Sequence, residues 1–146
     1  MYDLQTDIDT YAHGAAERLG PRTFCSITLR YRGELGFVAS SDERAKQCDM
    51  VEVRAGEGPC VEAMLTLQGV LVPDLHPDVR WPVWRRAALD AGFRSAAALP
   101  AVADDVTTVA INLYSDELDP WGHEPLLTMD EYIQEIAEAI RTRLGS

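Results

Sequence analysis

Apolar residues recur along the first twenty positions at spacings of four and three: Leu4, Ile8, Tyr11, Ala15 and Leu19. That period places them on one face of a helix over about 2–19, which Gly20-Pro21 ends. The period then changes to two. In TFCSITLRYRG, Cys25, Ile27, Leu29 and Tyr31 take one face, and Ser26, Thr28 and Arg30 take the other. ELGFVAS repeats the alternation with Leu35, Phe37 and Ala39, and the intervening RGE, carrying Gly33, predicts a hairpin. SSDERAKQCDM opens a short helix in which Ser40 and Glu43 have the spacing of a capping box. In RAGEGPCVEAM, Gly58 suits a non-helical entry and Pro59 the first turn of the next helix. Its apolar stripe is Cys60, Ala63, Met64 and Leu67, and Gly69 ends it.

VLVPD reads as a short strand, and LHPDVRWPVW as a loop into a helix that begins near Pro82 and stops at Gly92. FRSAAALPAV and VTTVAINLYS are strands joined by the turn ADD. In the second, Val109, Ile111 and Leu113 alternate with Ala110, Asn112 and Tyr114. Neither set suits a solvent face, so this strand is predicted to be covered on both sides. A last helix over about 127–144 carries a second capping box, Thr128 with Glu131, and a seam of Met129, Ile133, Ile136, Ile140 and Leu144. No segment repeats and no linker interrupts the order. The prediction is one α+β domain, 1–146, on a mostly antiparallel sheet.

Charge narrows the partners. A formal net charge of −11 and no clustered arginines argue against direct binding of nucleic acid. No apolar stretch approaches the length that crosses a membrane, and the N-terminus lacks a basic start and an apolar core, so a cytoplasmic protein is expected. Cysteines 25, 48 and 60 are odd in number and form no C-x-x-C, which indicates free thiols in a reducing compartment. His13, His76 and His123 have no metal-ligand spacing, so no metal site is predicted, and there is no G-x-S-x-G elbow.

Three stretches, ASSDERA, GEGPCVEAMLTLQGVLVPDLHPDVRWP and VAINLYS, together resemble the GAF family of small-molecule sensor domains, over about residues 4–142. The likeness is greatest to actinobacterial members that precede an RNA-binding ANTAR domain. The resemblance implies a GAF/PAS-like fold: a central antiparallel sheet, the terminal helices on one face, and short helices with loops over a pocket on the other. It also implies a sensory or regulatory role, transcription included, and a homodimer through the terminal helices. No ANTAR-like segment follows the last helix, so the output is expected outside this chain. The residues that mark cyclic-nucleotide binders are missing, so the ligand is an unidentified small molecule and no cofactor is assigned.

The candidate ligand-binding residues are Ser26, Thr28, Ala98 and Asn112 on the sheet, Cys60 at the helix mouth, and Asp74, His76, Trp81, Trp84 and Arg94 around the loop. Small or polar side chains on the sheet leave volume for a ligand, and the tryptophans can stack on one or simply anchor the loop. For Arg94, pairing with Asp74 or Asp78 is the plainer role. A branch of the GAF family reduces free methionine sulfoxide with a cysteine in a similar Gly-x-Gly-x-Cys context, followed there by a further cysteine. The matching stretch here, LHPDVRWPVWRRAALDAG, has none. Cys60 is therefore read as a small buried residue at a helix start, and no catalytic residue is assigned. The reductase stands as the alternative, beside a dimerisation module with a vestigial pocket.

Overall fold

The computed structural model describes residues 4–144. Residues 2 and 3 of the predicted first helix lie outside that range, as do the side chains of Leu4, Phe37 and Leu144. The order is α1 (Leu4–Leu19), β1 (Thr23–Tyr31), β2 (Glu34–Ser40), α2 (Glu43–Ala55), α3 (Pro59–Thr66), β3 (Val70–Val72), α4 (Pro82–Asp90), β4 (Ser95–Asp104), β5 (Thr107–Ser115) and α5 (His123–Leu144). All five strands join one antiparallel sheet in the order β2-β1-β5-β4-β3. β5 is central, and its two-sided burial follows from that place. The β1–β2 hairpin closes through Arg32 and Gly33, both at positive φ (51° and 83°), as a two-residue loop matched to strand twist requires.

Two cores share the sheet. One face carries Cys25, Ile27, Val109, Ile111 and Leu113 against Ile8, Ala12 and Ala15 of α1 and Met129, Ile133, Ile136 and Ile140 of α5. The other carries Ala96, Ala98, Ala110 and Tyr114 against Cys48 of α2, Cys60 and Met64 of α3, Leu75, and Trp81 and Trp84 at α4.

Several local expectations change. The alternation in ELGFVAS is broken: Ile27 pairs with Ala39 but Thr28 with Phe37, so Val38 is an extra residue in β2. That bulge sends Leu35 to one core and Ala39 to the other, although four residues separate them. α2 is capped by Asp42, not by a Ser40–Glu43 box. Asp42 Oδ1 accepts from Arg44 N (2.8 Å) and Ala45 N (3.4 Å), while Ser40 still belongs to β2. α5 starts at His123, not near 127, with Pro125 in its first turn, so Thr128 is not a cap. α3 stops at Thr66 with Leu67 in a left-handed cap, and Leu67 is 54% exposed instead of completing the stripe.

The apolar seam of α5 packs within the chain. Ile133, Ile136 and Ile140 are at most 1% exposed within the single chain, where they close the terminal helices onto the sheet. That contact consumes the seam.

Candidate functional site: a buried acidic centre

α2 reads as a charged helix, ERAKQCDMVEVRA, yet the face it sets on the sheet is Ala45, Cys48, Asp49 and Glu52. Their spacing of three, four and seven is that of a core-facing stripe. Two of its four members are carboxylates, 0% and 1% exposed. Burying ionised carboxylates is costly unless they are paired or solvated by donors. Neither forms an ion pair among the described residues.

Donors come from the sheet. Tyr114 Oη donates to Asp49 Oδ1 at 2.6 Å, and Asn112 Nδ2 lies 3.2 Å from Asp49 Oδ2. The same amide nitrogen lies 3.3 Å from Ser26 Oγ and 3.3 Å from Thr28 Oγ1. Asn112 Oδ1 is buried without a partner. Behind Tyr114, Trp84 Nε1 donates to its hydroxyl at 3.3 Å, and Phe93 stacks on its ring at 5.0 Å. Glu52 turns the other way. Its Oε2 accepts the Cys60 N–H at 2.8 Å, at the first turn of α3. Gly58, the α3 N-cap, has no side chain to do this, and its φ of 149° suits only glycine. A carboxylate from the preceding helix thus caps α3.

The electrostatics follow. Burial raises the Asp49 carboxyl to about 6 against the pull of Ser26, Tyr114 and Asn112. Burial, with the Asp49 charge behind it, raises Glu52 to about 8, although Cys60 and Val61 favour its charged form. The Cys60 thiol is pushed well above 9 by burial and by the charges of Glu52 and Asp49. Its place at a helix N-terminus, which ordinarily favours a thiolate, is outweighed. Burial drives Cys25 and Cys48 to about 12.

Of the predicted residues, Ser26, Thr28, Cys60, Trp84 and Asn112 meet in this centre, and Ala98 lies in the same core. The volume that small sheet residues were expected to leave is occupied by α2 and its carboxylates. Asp74 and His76 sit outside on the loop, with His76 Nδ1 3.6 Å from Asp74 Oδ1, and a cleft of about 490 Å³ opens beside Asp74. Asp78 pairs with Arg80, whose guanidinium covers Trp81 at 4.3 Å. Arg94 pairs with neither aspartate; its backbone bonds Ser115 and Leu75, and its Nε is buried without a partner. Asp49, Glu52 and Arg44 were missed. Arg44 lies over Phe24 and Phe93 (4.6 and 4.8 Å), tying α2 to the sheet. The available signal was the α2 stripe itself, with acids at core positions.

An antiparallel sheet in this strand order, with terminal helices behind it and a polar centre under the middle helices, defines the GAF/PAS-like class of domain. The chain belongs to the GAF domain family, whose family model matches residues 5–141. It is similar to the GAF domain/HD domain protein of Geobacter sulfurreducens, with 12% identity, TM-score 0.71, and 99% of this chain and 95% of that one covered. It is similar also to GAF3 of Slr1393 from Synechocystis, solved in its photoproduct state (11%, TM-score 0.74, 96% and 94% covered). The type II free methionine-R-sulfoxide reductase of Thermoplasma acidophilum shares the fold at 19% identity and TM-score 0.64, with 97% and 94% covered. No curated protein matches the chain. No helix among the described residues is long and apolar enough to cross a membrane.

Proposed function

We infer that this chain is a regulatory sensor domain in which a small molecule takes the sheet face beneath α2, α3 and α4 by displacing the α2 side chains that fill it, and so alters the seating of α2. The observation that carries the reading is the buried polar centre, above all Asn112 Oδ1, a buried acceptor without a donor. Buried polar groups are nearly always paired, so an unpaired one is where a donor from a ligand that displaces α2 gains most. β5 offers a direct route onward, because Asn112 and Tyr114 alternate with Ile111 and Leu113, which touch the terminal-helix core. Output, transcriptional control included, would pass through those helices in a cytoplasmic assembly. A homodimer would use their outward residues, since the apolar seam is already buried.

The test is a thermal-shift screen of nucleotides, small acids and aromatic metabolites, read in parallel by tryptophan fluorescence. A true ligand raises the melting temperature by mass action and changes the emission of Trp84. Both effects disappear in Asn112→Leu. If no compound does either, the dimerisation module becomes the better account.

The reductase reading meets the raised Cys60 pKa. A thiol held protonated by burial and two acids is a poor nucleophile at neutral pH. Free methionine-R-sulfoxide should not be turned over in the presence of a thiol reductant. Turnover that vanishes in Cys60→Ala would replace the sensor reading with the enzyme.

A further inference from the structure

We propose that Asp49 and Glu52 form a proton-operated latch: a proton held by the pair keeps the α2–α3 corner docked on the sheet, and its loss releases that corner. The proposal rests on the sensor reading only for what the corner covers.

The geometry carries it. The two carboxylates lie three residues apart on one face of α2 and hold different elements. Asp49 is fastened to β5 through Tyr114 and Asn112, and Glu52 to α3 through the Cys60 N–H. The groups facing the pair are Cys48 on α2 itself, Ser26 and Thr28 from β1, Asn112 and Tyr114 from β5, and Cys60 from α3. α4 contributes Trp84, through Tyr114. None of these is cationic. Arg44, the cation in the first turn of α2, is spent on Phe24, Phe93 and the Ala91 carbonyl.

The donors therefore solvate one negative charge. Ser26, Tyr114 and Asn112 serve Asp49, and the Cys60 and Val61 groups at the start of α3 that favour a charged Glu52 are outweighed by burial beside Asp49. With the proton in place the centre carries one charge. Without it, two like charges lie three residues apart on one buried helix face closed to water, and separation relieves them. The Cys60 N–H favours the charged form of Glu52, but burial and Asp49 outweigh it. A hinge stands at the right place. Gly56 (φ 69°) and Gly58 (φ 149°) bracket the α2–α3 corner, where φ can change without a Cβ clash.

The experiment follows the Cys60 amide and the Trp84 indole N–H of the whole chain by NMR from pH 6 to 9, with hydrogen exchange corrected for its intrinsic pH dependence. In the wild type, the Glu52 carboxyl titrates above pH 7 and protection of the Cys60 amide falls at least tenfold over the range. In Glu52→Gln protection stays level. In Asp49→Asn the midpoint of the loss moves to lower pH, because the charge that raises Glu52 is gone. That displacement is what a merely structural pair would not show, and it decides the matter if the glutamine variant fails to fold. Constant Cys60 protection across the range, a Glu52 titration near its ordinary value, or an Asp49→Asn midpoint that stays or rises overturns the latch. A ligand that shifts Trp84 emission equally at pH 6 and pH 9 would remove the latch and leave the sensor reading standing. A latch that works while the screen finds no ligand would do the reverse.

Discussion

A Cβ on residue 58 would lie 2.0 Å from Glu52 Oε2 and 2.4 Å from its carboxyl carbon. A Cβ at this position and the Glu52 carboxyl would claim the same space, so only glycine lets the carboxylate reach the first turn of α3. Gly58→Ala must expel a side chain that is buried on every side and also strain a backbone at φ 149°. We expect a loss of roughly 3 kcal/mol, measured by urea denaturation. The α3 N-terminus should lose its exchange protection first.

Glu52→Gln tests the acid separately from its shape. In the unfolded chain Glu52 gives up its proton near its ordinary value of 4.5, whereas in the fold it holds it to about 8. Between those values unfolding releases a proton, so the contribution of this group is fully present below pH 4.5 and declines as pH rises toward 8. The wild type should therefore lose stability relative to Glu52→Gln from pH 5 to pH 8.5. The difference should be several kcal/mol, on the order of 1.4 kcal/mol for each unit of displacement. Paired denaturation curves at the two pH values measure it. Equal slopes for the two proteins would show that Glu52 ionises normally in the fold.

Tyr114→Phe removes one oxygen and strands two partners. Asp49 Oδ1 loses its 2.6 Å donor, and Trp84 Nε1 loses its acceptor. Leaving buried polar groups unpaired costs about 1–3 kcal/mol each, so a total near 3 kcal/mol is expected by thermal or urea unfolding. The carboxyl of Asp49, held down in part by this phenol, should titrate higher than in the wild type, which its side-chain carbon resonance reports.

Ile136 separates core from interface. It is fully buried within one chain. Ile136→Ala should cost about 3 kcal/mol of unfolding free energy, independent of protein concentration. A stability unchanged at low concentration, with loss only of self-association by sedimentation, would make the seam a dimer contact.

Period and punctuation in the chain determined most of the elements. The change from a spacing of 3.6 to one of two separates α1 from β1, and Gly58-Pro59 marks the entry to α3. The doubly apolar alternation of β5 announces a strand with cover on both sides, as its central place confirms. These signals are local: a residue's neighbours three, four or two positions away are always at hand in sequence. What the tertiary structure decided is which surfaces those faces meet. The bulge at Val38 exists only against β1, so a strict alternation could not place Leu35 and Ala39 in different cores. The isoleucine seam of α5 reads the same whether a sheet or a second copy covers it, and the sheet covers it. Asp49 and Glu52 look solvent-exposed among lysine, glutamine and arginine. They become a site because α2 lies on strands whose tyrosine, asparagine and hydroxyls come from up to 65 residues away. Burial of a charge depends on what packs over it, and that is a property of the assembled layers, not of the helix that carries it.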